Sequence, residues 1–319
     1  RSGWPGQTIT KYVGQTQAKQ TTTTQQQTTL ITLSNANAQY GTRKVLKTVN
    51  LSIVKGELIG IIGVTGSGKT TLLNMITGTL TPTTGTVMLT GTLGIAPQRP
   101  ALHDHLTVQE NIDYAATLYN VPLKDRRTEE LLRLTGTEKE RNTIVETLSP
   151  GTKKRVDIAC ALIHQPSILI LDEPLADIDP TAREHLWQLL HTINHKGTTI
   201  LITSHLVDEL SHHCTRITAL KGGTLINLGT KEELSAIYTQ HYEVRITAPP
   251  EETKTLLATI PQTLPYTAFE RDDTTILATQ HPHELLAHLA TESSKTGHSN
   301  VTLTLQQPTL SEVFEDIVT

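Results

Sequence analysis

The sequence predicts an α/β fold with a mostly parallel sheet, followed by a smaller α+β domain. Residues 57–62, 167–171 and 199–203 are dominated by apolar side chains, as central strands covered on both faces must be. Each run gives way at its C-terminal end to glycine-rich or polar residues, where open α/β sheets gather their ligands. Across 240–319 the pattern changes to alternating runs interleaved with helical ones.

In chain order, residues 1–29 are polar and end in a Thr/Gln tract, so they cannot bury an apolar face and are expected to form a flexible segment. A larger α/β domain over 30–239 then opens with short strands around Tyr40 and at 49–54. The strand at 57–62 runs into Gly63-Val64-Thr65-Gly66-Ser67-Gly68-Lys69-Thr70, and 69–76 reads as a helix. Residues 94–98 form a short extended run ending at Gln98. From 100 to 146 the pattern is helical and more charged, and a helix is expected at 153–159. The strand at 167–171 ends in Asp172-Glu173-Pro174. A helix over 183–197 closes on Gly197. The strand at 199–203 leads to Ser204-His205, and 216–220 and 224–226 pair through Lys221-Gly222-Gly223. A short helix at 232–238 closes the domain. The domain over 240–319 has strands at 242–247, 266–271, 274–279 and 300–306 and helices at 250–260 and 282–295. That order, βαββαβ, suggests a ferredoxin-like split unit.

The strand–loop–helix segment carries the clearest chemistry. G-x-x-x-x-G-K-[ST] cradles nucleotide phosphates on backbone N–H groups, at a helix N-terminus whose dipole favours anions. Candidate contacts are Gly63, Val64, Thr65, Gly66, Ser67, Gly68, Lys69, Thr70 and the next residue, Thr71. Lys69 reaches the β- and γ-phosphates, and the Thr70 hydroxyl ligates Mg²⁺. Asp172, at the end of a central strand beside this loop, supplies a second Mg²⁺ ligand. Glu173 is placed to polarise the water that attacks the γ-phosphate, and His205, after a third strand of the same sheet, can reach that phosphate.

These motifs, in this order, resemble the nucleotide-binding subunit of an ATP-binding cassette (ABC) transporter over about residues 31–238. The resemblance implies a RecA-like P-loop core, an antiparallel β subdomain and a helical subdomain. It implies that Tyr40 stacks on adenine and that Gln98 is a catalytic residue and metal ligand. Leu148-Ser149-Pro150-Gly151-Thr152 occupies the signature position, and 176–179 the D-loop. Ser149 and Gly151 would contact the γ-phosphate of a second subunit's ATP. The implied cofactors are ATP and Mg²⁺. The implied partners are integral-membrane permeases and a second ATPase subunit, identical or homologous, at the cytoplasmic face of a membrane. Residues 308–317 resemble the C-terminal end of drug- and polyketide-exporter ATPases, which implies export. Soluble relatives acting in translation or DNA repair tend to carry two cassettes or a basic surface; this chain has one cassette.

Two positions depart from the family pattern. Pro150 and Thr152 replace a glycine and a glutamine of the signature. Proline has no N–H and pushes Ser149 toward an extended backbone, which puts the geometry of the clamp in question. Asp177 puts a negative charge where a small neutral residue is usual, which would disfavour two identical copies meeting there. These substitutions motivate an alternative: a weakly active half of a heterodimeric pair.

Bulk properties fit this reading. The net charge is −4 and aromatics are 3% of 319 residues, so neither a basic field nor a base-stacking platform argues for nucleic acid. Apolar runs fall far short of the ~20 residues that cross a bilayer, and the first 30 residues show no stretch resembling a secretory signal. Two cysteines offer no disulfide framework, consistent with a reduced cytosolic setting. The 14 histidines lack a recognised zinc spacing.

Overall fold

The structure, a computed structural model, describes residues 28–122, 127–230, 233, 242–271, 274–296 and 301–307. Most of the expected flexible segment, the closing helix apart from Glu233, the junction at 239/240, the turn at 272–273 and the exporter-like tail lie outside these residues. The chain divides into two compact units, one spanning Thr23–Asn227 and one holding Leu228–Thr319.

The first unit contains, in order, β1 (Thr29–Tyr40), β2 (Arg43–Val54), β3 (Leu58–Ile62), α1 (Lys69–Ile76), β4 (Thr84–Leu89) and β5 (Leu93–Ala96). It continues with α2 (Val108–Leu118), α3 (Thr128–Thr135), α4 (Pro150–Leu162), β6 (Ile168–Leu171) and α5 (Pro180–His195). β7 (Thr199–Ser204), α6 (Val207–His213), β8 (Arg216–Lys221) and β9 (Thr224–Thr230), whose last three residues fall past the division, complete the series.

Six strands form the core sheet in the order β5-β6-β7-β3-β8-β9. The pairs β5–β6, β6–β7, β3–β7 and β3–β8 are parallel. Every residue of β3, β6 and β7 is buried, which is why these strands read as predominantly apolar runs. A separate antiparallel sheet has the order β2-β1-β4. Thr29, grouped by composition with the flexible segment, instead opens β1, because it pairs with Val54 across the hairpin. β4 was not anticipated. Its Thr-Gly-Thr-Val-Met-Leu sequence is largely exposed and has no apolar periodicity to announce it.

One apolar cluster joins Ile31, Leu33 and Ile53 of the small sheet to Ile59 and Ile61 of β3. It also takes in Leu72, Met75 and Ile76 of α1, and Ile168 and Ile170 of β6. It therefore backs the loop between β3 and α1 from beneath. In the helical segment, Thr107 and Glu110 form a reciprocal capping box on α2.

In the second unit, β10 (Tyr242–Thr247), α7 (Pro250–Thr259), β11 (Tyr266–Arg271), β12 (Thr274–Thr279), α8 (Pro282–Thr296) and β13 (Thr302–Gln306) follow one another as βαββαβ. The sheet order is β11-β12-β10-β13, with all neighbours antiparallel. Val244, Ile246, Leu256, Leu277, Leu285 and Leu289 make its core. No described helix in either unit is long and apolar enough to cross a membrane.

Candidate active site

The loop from Gly63 to Gly68 connects the end of β3 to α1. A Cβ on Gly63 would lie 2.5 Å from Ser67 Oγ and 2.9 Å from Leu220 O, so only glycine lets the loop close down on the sheet. Gly68 caps α1 with φ 109°, a backbone that L side chains rarely adopt. No side chain caps this helix, which leaves its first N–H groups for a ligand. Ser67 Oγ is buried with no hydrogen-bond partner. An orphaned hydroxyl inside a glycine cradle is what a bound phosphate would satisfy.

Lys69 is 8% exposed. Its Nζ donates to Gly63 O at 2.5 Å and lies 3.1 Å from Glu173 Oε1. The lysine is thus folded back under its own loop and charge-balanced by the carboxylate that follows β6. His205 Nδ1 sits 3.0 Å from the other oxygen, Glu173 Oε2. Glu173 is therefore gripped on both oxygens.

Asp172 and Thr70 meet as expected, with Thr70 Oγ1 donating to Asp172 Oδ2 at 3.1 Å. A carboxylate and a hydroxyl side by side are the hard oxygen donors that Mg²⁺ takes. The other carboxylate oxygen accepts from Thr203 Oγ1 at 2.6 Å, and the same hydroxyl accepts from the Glu173 N–H at 2.9 Å. Glu173 adopts φ 46°, a left-handed backbone that costs a non-glycine residue about 1–3 kcal/mol. Asp177 shares that conformation at φ 59° and is exposed.

These groups border one cavity of about 380 Å³, within the range of small-ligand sites. Tyr40, Thr65, Gly66, Gly68, Lys69, Thr70, Thr71, Gln98, Asp172 and Glu173 line it, together with Arg43 and Val45. Gly63, Val64, Ser67 and His205 lie behind or beside the wall. Tyr40 is half exposed at the cavity edge. Ser149 and Gly151 do not line it.

At the signature position, Pro150 is accommodated by the start of a helix. The helix begins at Pro150, three residues earlier than the sequence suggests, with Ser149 as its N-cap (φ −62°, ψ 153°). Ser149 Oγ accepts from the Thr152 N–H at 3.2 Å. Pro150 is the first helical residue, where the missing N–H has no intrahelical partner to lose and the fixed φ suits the helix. The extended backbone it imposes on Ser149 is the one an N-cap adopts.

Sequence reasoning missed Arg43, Val45 and Thr203. Thr203 carried one signal, a hydroxyl at the polar end of a mostly apolar strand. Arg43 and Val45 are recruited by the β1–β2 hairpin, which no motif announces.

A glycine loop at an uncapped helix N-terminus, with a buried lysine and two carboxylates beside it, is the arrangement of a P-loop ATPase. Known proteins agree. The family profile described as ABC transporter matches residues 46–176. The linearmycin resistance ATP-binding protein LnrL of Bacillus subtilis (strain 168) is 28% identical over 301 residues, 89% of this chain and 97% of that protein. The probable sulfate/thiosulfate import ATP-binding protein CysA of Chlorella vulgaris is 34% identical over 219 residues, 64% of this chain and 93% of its own. The dimeric structure of MJ0796, a bacterial ABC transporter cassette, superposes with a TM-score of 0.55 at 30% identity, covering 61% of this chain and 96% of that one. The chain belongs to the ATP-binding proteins of ABC transporters, and its first unit is an ABC-type ATP hydrolase domain.

Proposed function

We propose that this chain powers export of a small molecule or drug through separate membrane permeases. One observation supports the choice of export: the match to LnrL, a protein named for resistance to linearmycin, covers 89% of this chain and so runs past the ATPase domain. The second unit, read as a ferredoxin-like accessory domain, shows no catalytic constellation among its described residues; its role is regulation or assembly.

In this reading ATP enters the cavity with its base on Tyr40 and its phosphates against Gly63–Thr71. Lys69 leaves Glu173 for the β- and γ-phosphates. Thr70, Asp172 and Gln98 would hold Mg²⁺, which neutralises charge developing on the transferred phosphoryl group. Glu173, freed from Lys69 but still held by His205 and by its own bonded N–H, polarises the attacking water. Ser149 and Gly151 reach the ATP of a second subunit, because the cavity of their own chain lies elsewhere. The dimeric MJ0796 cassette supports such a pairing.

Proteoliposomes carrying this chain with its copurifying permeases test the direction. With ATP outside, an exporter fills the lumen with a labelled drug; an importer empties it, and that result would overturn the reading. A second reading is favoured by the exposed Asp177: the partner subunit is a homologue that lacks this charge.

A further inference from the structure

We propose that Lys154 and Asp157 form a latch that positions Gln98, tying the loop that carries it to the helix that begins at the signature. The inference rests on the reading of Gln98 as a group that meets the metal and the attacking water.

The two residues lie three apart on α4 and so share a face. Both are buried, Lys154 at 4% and Asp157 at 2% exposure. Lys154 Nζ donates to Pro97 O at 2.8 Å and to Gln98 O at 3.0 Å. Asp157 Oδ1 accepts from the Ala101 N–H at 3.1 Å. The loop is therefore held at both ends, its leading carbonyls by an ammonium and its trailing amide by a carboxyl oxygen. Burying two ionisable groups to hold main-chain atoms is a costly way to secure a surface loop. Hydrogen bonds to charged groups are the strong ones, and carbonyls taken by a buried ammonium cannot drift. The loop thereby becomes an extension of α4. Since Ser149 caps the same helix, any shift of the signature on meeting a second subunit's ATP is transmitted to Gln98 through four residues of rigid helix. Lys154 is a positioning residue: it holds the main chain of Gln98 and leaves the side chain free for the cavity.

A double-mutant cycle on the full chain tests this, using Lys154→Met, Gln98→Ala and their combination. The readouts are ATPase rate and, by calorimetry, the gain in ADP affinity on adding Mg²⁺. Each single change is expected to lower kcat roughly tenfold and to shrink the Mg²⁺-dependent gain, with Mg²⁺-free ADP binding unchanged. The double variant should be no worse than Gln98→Ala alone, because one residue acts through the other. Lys154→Arg should restore most of the loss, and it keeps the test alive if Lys154→Met does not fold. Additive losses would overturn the latch. If Gln98→Ala alone changes nothing, the reading of Gln98 fails instead.

Discussion

Thr203 and Asp172 hold each other across two adjacent strands. The Thr203 hydroxyl donates to Asp172 Oδ1 at 2.6 Å and in turn accepts the Glu173 N–H at 2.9 Å. One fully buried hydroxyl thus orients the carboxylate expected to face the metal and anchors the backbone of the carboxylate expected to face the water. Thr203→Val keeps the shape and removes the hydroxyl, leaving a buried N–H and a carboxylate oxygen unpaired. We expect about 1–3 kcal/mol lower stability in denaturant unfolding and a reduced kcat. Unchanged values in both would contradict this assignment.

Glu173→Gln removes the charge that faces Lys69 and His205 while keeping the side chain's length. Turnover should fall by about two orders of magnitude or more if Glu173 prepares the water, with ATP still bound. Light scattering of this variant with Mg-ATP reads the clamp directly. A dimer shows that Ser149-Pro150-Gly151 works between identical copies; a monomer that binds ATP points to a homologous partner.

Gly63→Ala would press a methyl group against Ser67 Oγ and the Leu220 carbonyl. The carbonyl belongs to the sheet and cannot yield, so the loop must lift. The expected cost is about 1–3 kcal/mol, as in other overpacked sites. ATP affinity measured by fluorescence titration should fall with it.

Burial pushes the Asp157 carboxyl up to about 7 from an ordinary 3.8, against the opposing pull of Lys154 and the Ala101 N–H. The folded chain therefore binds this proton more tightly than the unfolded chain. The stability linked to it is full below 3.8, falls as pH rises toward about 7 and is flat above. Asp157→Asn does not titrate. Thermal unfolding across that window should show the variant gaining on the parent as pH rises. A constant gap between the two would contradict the prediction.

Pro150→Ala should leave the helix start intact, because Ser149 still caps it. We expect a loss of about 0.4–1 kcal/mol, arising mainly from the freer unfolded chain, with no change in ATP-driven association. Loss of association on this substitution alone would mean that the proline has a direct role in the clamp.

The sequence carried the central sheet and the chemistry at its strand ends because complete burial imposes apolar composition and phosphate binding imposes glycine, lysine and threonine at set spacings. Lys69, Thr70, Asp172, Glu173 and His205 were legible for that reason, and the structure brings them together. Thr203 and Lys154 were not, since each acts through a contact made across the fold and neither sits at a spacing that chemistry dictates. β4 was hidden by its exposed, threonine-rich surface. Ser149 and Gly151 were legible as a pair, but the helix that starts between them appeared only once the cap itself could be seen.

The left-handed backbone at Glu173 sets a conflict between durability and work. At that position asparagine or glycine would sit more easily, and a lineage selected only for a robust fold would drift toward them. Laboratory selection for thermal tolerance alone should therefore erode this position early, yielding chains that survive heat and no longer spend ATP.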